Sequence, residues 1–144
     1  MKIEYVKPEE IRKLRHTVLR EGKPFSTTAY DKDKDKTTFH LACVYKNKII
    51  TCATFYPESL SQIISENPFR LRGMGTEKKF RRRGYGKKLM VEAFKHLKTK
   101  KSDLLWCNAR LVAVDFYKSM GFDIKGDMFE IEGIGKHYLM YRNL

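Results

Sequence analysis

The stretch Thr76-Glu77-Lys78-Lys79-Phe80-Arg81-Arg82-Arg83-Gly84-Tyr85-Gly86-Lys87 gathers the residue types that hold a phosphorylated molecule. It falls between a strand-like segment and the start of a strongly periodic helix. The first turn of a helix leaves main-chain N–H groups without intrahelical acceptors, and the helix dipole adds partial positive charge there. Glycines at 84 and 86 let a diphosphate approach the backbone, and the surrounding arginines and lysines supply countercharge. Two other phosphate motifs are excluded. A P-loop needs Gly at 81 and Ser or Thr at 88, where Arg81 and Lys88 stand. A dinucleotide fingerprint needs a third glycine at 89, which is Leu.

Charge distribution points the same way. The 144-residue chain has a net charge of +13. Residues 70–101 hold thirteen Lys or Arg against Glu77 and Glu92, a net of +11, and the remainder is nearly balanced at +2. A positive field confined to one segment implies an anionic partner there: a phosphorylated cofactor, a nucleic acid or an acidic surface. The bland alternative is a solvated basic helix face.

Other clusters carry less. Cys43, Cys52 and Cys107 form no CxxC pair, and each lies in an apolar run. Buried thiols of a reducing compartment are expected rather than disulfides or nucleophiles. His16, His40, His96 and His137 lack metal-ligand spacing, so no metal is expected. The run Asp31-Lys32-Asp33-Lys34-Asp35-Lys36 imitates a calcium loop, but position 36 is Lys where Gly is needed and 42 is Ala where Glu is needed. It reads as a solvated loop of alternating charge.

These residues need a scaffold, and the chain predicts one domain over 1–144. A short strand covers residues 2–6. Pro8-Glu9-Glu10 opens a helix with an Ile11, Leu14, Val18, Leu19 stripe, stopped by Gly22. Residues 22–37 read as loop with at most one helical turn. Strands at 38–45 and 49–56 flank a hairpin turn at Asn47, and 58–69 read as loop or short helix. A strand at 71–76 contains Gly73 and Gly75, which mark a bulge or a close approach. The clearest helix spans 84–99, with Leu89, Met90, Ala93, Phe94 and Leu97 on one face. A strand at 103–107, a helix at 110–120 capped by Gly121, and strands at 122–124 and 138–141 complete a β-α-β-β-β-α-β-α-β-β order. That is an α/β chain with a mixed sheet and helices on its faces.

Arg81-Arg82-Arg83-Gly84-Tyr85-Gly86 resembles the Gln/Arg-x-x-Gly-x-Gly/Ala signature of the GNAT superfamily of N-acetyltransferases. Asp115-Phe116-Tyr117-Lys118-Ser119-Met120-Gly121-Phe122 is similar to the family's "FYxxxGF" segment. Leu71-Arg72-Gly73-Met74 and Leu105-Trp106-Cys107-Asn108-Ala109-Arg110 resemble an ElaA-like, uncharacterised bacterial subgroup. The likeness covers most of the chain and is sharpest from 70 to 123. It implies the GNAT fold: a mostly antiparallel sheet of six or seven strands, splayed between the strands at 71–76 and 103–108. It also implies acetyl-CoA as co-substrate and direct attack by an amine in a ternary complex. By that resemblance Met74, Gly75 and Thr76 meet the pantetheine arm. The N–H groups of Arg81, Arg82, Arg83, Gly84, Tyr85, Gly86 and Lys87 hold the pyrophosphate. Asn108 sits near the pantetheine, and Tyr117 protonates the departing thiolate. Residue 82 is often Gly in the family and 78 often Pro; here they are Arg and Lys.

An alkylamine, with a pKa of roughly 10.4, is protonated at neutral pH and must lose a proton before it attacks. Glu77, just beyond the bulged strand, and His40, at the start of an inner strand, are both candidates for the base. His40 also reads as a structural histidine, and Tyr117 without the upstream glycines would read as a core tyrosine. Two rival functions remain: a basic nucleic-acid-binding module, and a GNAT-fold protein that binds coenzyme A without catalysis. The first lacks evident stacking platforms, since the basic segment holds only Phe80, Tyr85 and Phe94 as aromatics. The expectation is a cytoplasmic protein, monomer or homodimer, that uses no membrane or nucleic acid. Its acceptor is a small amine or a peptide amine of unread identity.

Overall fold

The computed structural model describes all 144 residues. Strand β1 (Lys2–Tyr5) enters helix α1 (Pro8–Leu19), where Pro8 needs no amide partner and Glu9 and Glu10 face the positive end of the dipole. The Glu10 carboxylate accepts the Lys7 N–H at 2.7 Å. Strands β2 (Phe39–Tyr45) and β3 (Lys48–Pro57) meet at Lys46 and Asn47, with φ of 47° and 63°. Two consecutive left-handed residues make the tight turn whose twist matches a hairpin. Strand β4 (Pro68–Thr76) leads through a one-turn segment (Lys78–Phe80) to α2 (Tyr85–Thr99). Then follow β5 (Leu104–Arg110), α3 (Val114–Ser119), β6 (Asp123–Ile131) and β7 (Gly135–Asn143).

The seven strands form one mixed sheet in the order β1-β2-β3-β4-β5-β7-β6, flanked by three helices. The α/β class, the strand count and the element order expected from sequence are all present. Strands β4 and β5 pair in parallel only from Pro68↔Leu104 to Arg70↔Trp106, where their ladder ends. Strand β5 then pairs along its whole length with β7, and β6 with β7, both antiparallel.

The chain packs as two units, one of Met1–Tyr56 with Leu71–His96, the other of Pro57–Arg70 with Leu97–Leu144. In the first, Ile11 and Leu14 of α1 pack on Ala42 and Cys52 of the sheet, with Val6, Val18 and Ile49 around them. In the second, Leu104, Trp106 and Leu139 form the centre of a cluster that Leu60, Ile63, Phe129 and Tyr141 complete.

Several local expectations need correction. Strand β4 begins at Pro68, because Glu58 N–H bonds the Pro68 carbonyl and closes the loop at its base. The helix expected at 110–120 is a short α-helix preceded by one tighter turn, since residues 104–110 continue as strand against β7. The last hairpin spans 123–143 rather than two short strands. Gly121 does take the left-handed φ, +87°, of a helix C-terminal glycine.

The alternating-charge loop is not simply solvated. Asp33 is buried and receives both Arg15 guanidinium nitrogens, at 2.7 and 2.9 Å. Arg15, fully buried, also bonds the Thr28 carbonyl at 2.8 Å and Thr54 Oγ1 at 2.6 Å, and it lies 3.9 Å over the Tyr30 ring. Burial alone would raise the Asp33 carboxyl, but hydrogen bonds from Arg15 and the Tyr30 N–H outweigh it and hold the group below its ordinary value.

Candidate active site

In the first unit the basic loop is held from below. The Phe80 ring lies 5.6 Å from Tyr45 and 6.1 Å from Tyr85, and Arg83 sits 5.7 Å over it. Arg81 Nε donates to the Thr76 carbonyl at 3.1 Å, fastening the loop to the end of β4. Arg81, Arg82, Arg83 and Gly84 are exposed, whereas Tyr85 and Gly86 are half-buried at the start of α2. The first intrahelical bond there is Lys88 N–H to the Gly84 carbonyl at 3.1 Å. The N–H groups of Gly84, Tyr85, Gly86 and Lys87 therefore have no acceptor inside the helix. The first turn of α2 carries no acidic residue, so nothing of opposite charge competes for that end.

Gly84 has φ +83°, and a Cβ built there meets nothing within 4 Å. Backbone shape, not crowding, makes glycine the residue of choice, and the space above it is open. Arg82 holds a similar left-handed φ, 61°, with an ordinary side chain. Gly73 and Gly75 answer to a different cause. A Cβ on Gly73 would lie 2.7 Å from the Tyr30 ring, and one on Gly75 would lie 2.5 Å from Val18. Side chains of the same unit approach β4 at these two positions. The half-buried Met74 and Thr76 share that strand, and Thr76 Oγ1 lies 3.1 Å from Thr51 Oγ1.

The two base candidates stand apart. His40 pairs with Thr54 across β2 and β3, while Glu77 N–H bonds the Ile50 carbonyl at 2.8 Å. Four residues of strand separate those anchors, about 13 Å. The Glu77 carboxylate is taken by Lys48 at 2.9 Å and Lys79 at 3.8 Å. His40 Nε2 lies 2.9 Å from the Asp33 carbonyl, which only accepts, so Nε2 carries the proton. The lone pair on Nδ1 is then met by Thr54 Oγ1 at 2.8 Å. Burial pushes the imidazole below its ordinary value, so it stays neutral. This arrangement places His40 in the Arg15–Asp33 network, with both ring nitrogens engaged.

In the second unit Asn108 is half-buried on β5, opposite Leu139. Tyr117 of α3 is buried, packed on Phe116 and Phe122 at 5.3 and 5.2 Å, and its hydroxyl bonds the Cys107 thiol. Burial raises the phenol well above its ordinary value, and the Cys107 thiol is pushed up to about 12, so both are neutral at physiological pH. Cys43 and Cys52 are likewise buried free thiols, raised by desolvation to about 11 and about 12. No helix is long and apolar enough to cross a membrane, and no three His, Cys, Asp or Glu side chains cluster as metal ligands.

A seven-stranded mixed sheet, with a basic loop feeding a bare helix N-terminus after β4, defines an acyltransferase architecture, and the Acetyltransferase (GNAT) domain model matches residues 4–141. The chain belongs to the GNAT family of acetyltransferases. Over 144 residues it is 31% identical to an uncharacterised N-acetyltransferase, YitI, of Bacillus subtilis strain 168, covering 100% of this chain and 97% of that protein. Among solved structures, an aminoglycoside 6'-N-acetyltransferase complexed with coenzyme A superposes with a TM-score of 0.78 at 12% identity, covering 99% of this chain and 97% of that one. Escherichia coli ElaA superposes with a TM-score of 0.71 at 15% identity, covering 98% of each chain.

Proposed function

We propose that this acetyltransferase, acting as a single domain over 1–144, binds acetyl-CoA through the opening turn of α2 and transfers the acetyl group to an amine. The observation that carries the reading is the set of main-chain N–H groups from Gly84 to Lys87, free of intrahelical acceptors beneath an exposed arginine run. The amides of Arg81 to Lys87 hold the pyrophosphate, and the arginine side chains add countercharge. The family resemblance assigns the pantetheine arm to Met74, Gly75 and Thr76 on β4, and it assigns Asn108 on β5 to the same arm. The coenzyme A complex of the similarly folded aminoglycoside acetyltransferase supports that co-substrate. The amine nitrogen attacks the thioester carbon, the C–N bond forms and the C–S bond breaks. A main-chain N–H near Met74 stabilises charge on the carbonyl oxygen. Tyr117 stands as the proton donor to the thiolate, and its raised pKa suits assistance by hydrogen bonding rather than early ionisation. Of the two base candidates, Glu77 is the more accessible, though two lysines hold its carboxylate. The acceptor is a small or peptide amine, and the expected setting is the cytoplasm.

The test is a thermal shift. Acetyl-CoA at about 100 times its Kd stabilises by roughly 2.7 kcal/mol, and an oligonucleotide gives no shift. Gly84→Asn keeps a residue tolerant of positive φ while placing a side chain over the amides. It is expected to unfold within a few degrees of wild type and to lose most of the acetyl-CoA shift. An undiminished shift in that variant overturns the placement of the pyrophosphate. A shift with oligonucleotide alone would assign the basic segment to nucleic acid.

A further inference from the structure

We infer that His137 of β7 is the group that takes the proton from the acceptor amine. The inference rests on the reading of this chain as an amine acetyltransferase and adds a residue to that site. His137 is buried on β7, and its Nδ1 lies 2.7 Å from the Gly135 carbonyl. A carbonyl only accepts, so Nδ1 carries the hydrogen and the neutral ring has its lone pair on Nε2. No hydrogen bond engages that second nitrogen. The ring is steadied by Phe129 of β6, whose centroid lies 6.0 Å away. His137, like His40, has its tautomer fixed by a carbonyl, but unlike His40 its other ring nitrogen is unengaged.

Position supports the role. His137 pairs directly with Arg110 of β5, and Asn108 pairs with Leu139. Directly opposed residues share a face, and residues two apart on a strand share it too. His137 and Asn108 therefore lie on one face of the sheet as diagonal neighbours, roughly 7–8 Å apart at Cα. Cys107, which holds the Tyr117 hydroxyl, points to the opposite face. Acid and base stand on the two sides of β5, so the incoming amine and the departing sulfur are served from opposite faces. The charged group facing His137 from β5 is Arg110. From β6 it meets Phe129, and the neighbouring Glu130 and Lys136 pair with each other on the other face. The turn beside it, Leu111–Ala113, carries no charge, and Glu132 is exposed.

The step balances. The ammonium gives one proton to His137 Nε2, and the free amine attacks the thioester. The C–N bond forms as the C–S bond breaks. Tyr117 gives its proton to the sulfur and is restored by the second proton the nitrogen loses, and the first passes from the imidazolium to water.

The experiment measures acceptor-dependent thiol release, with acetyl-CoA and a panel of primary amines, from pH 5.5 to 9.5. Wild type is expected to gain activity with pH along a limb that stays in place when the acceptor is exchanged for an amine of different basicity. His137→Gln is expected to lower kcat/KM about 10²- to 10³-fold and to lose that limb, while its thermal shift with acetyl-CoA is retained. Added imidazole is expected to restore part of the rate to His137→Ala. A folded His137→Gln with unchanged rate and profile overturns the inference alone. If neither variant folds, a wild-type profile whose only limb follows the amine overturns it. No thiol release by wild type with any amine, and no shift with acetyl-CoA, overturns both this and the function on which it rests.

Discussion

Two residues in similar backbone conformations, Arg82 and Gly84, show how a signature can be kept while its cost is not. Both have positive φ, 61° and 83°. Gly84 adopts that region freely, whereas a residue with Cβ gives up roughly 1 kcal/mol there. Arg82→Gly is therefore expected to raise stability by about 0.5–1 kcal/mol, read from urea midpoints, while removing one positive charge from the loop. Unchanged or lower stability would show that the arginine side chain makes up the difference. The pattern that revealed this loop was legible because glycines and arginines are rare enough together to stand out. His137 was not, since it is a lone histidine just outside the strand read at 138–141 and has no spacing to mark it. Tyr117 was legible only through its neighbours, and its role is checked by Tyr117→Phe. That change is expected to slow thiol release about 10²-fold with the acetyl-CoA shift intact, and an unaltered rate would remove the phenol from the chemistry.

At the level of elements, the sequence showed helices and inner strands wherever burial imposes a period. The stripe of α2 at Leu89, Met90, Ala93 and Leu97 is fully buried. The β6 strand was nearly invisible because it is mostly exposed and carries no apolar alternation. The buried ion pair was missed for a different reason. Asp33 sits in a run of alternating charge, and its partner Arg15 is a charged residue outside the Ile11, Leu14, Val18 and Leu19 stripe, so nothing in the sequence marks either as buried. Together with Thr28, Thr54 and His40 this pair ties α1 and the following loop to β2 and β3. The network also sets a pH dependence. His40 is lowered from 6.5, so the unfolded chain binds more protons and stability is full above that value. It falls as the pH drops from 6.5 through the folded value, and Asp33, lowered from 3.8, adds a loss of the same sign in stronger acid. His40→Gln, which keeps one donor and one acceptor, is expected to flatten the fall in Tm between pH 7 and 5. A slope as steep as wild type would place the acid sensitivity elsewhere.

For the whole molecule the question is what the charge of +13 is for, since +11 of it lies in residues 70–101. Main-chain amides alone can seat a pyrophosphate, so an exposed run of Arg81, Arg82 and Arg83 beside them exceeds that need. Coenzyme A carries a further phosphate on its ribose, and a cluster of guanidinium groups beside the proposed diphosphate site suits that dianion. Contacts made by exposed side chains are screened within about 10 Å at 0.1 M salt and about 3 Å at 1 M, whereas partly buried amides are screened less. The affinity for coenzyme A is therefore expected to fall roughly tenfold between about 50 and 500 mM NaCl. Dephospho-coenzyme A, which lacks the ribose phosphate, is expected to bind more weakly at low salt and to show a shallower dependence, so that the two affinities converge as salt rises. Parallel salt curves would mean that the arginines act as a general field rather than on that phosphate. Replacing Arg82 and Arg83 with Gln distinguishes the cases, because only a direct contact makes the loss larger for coenzyme A than for its dephospho form.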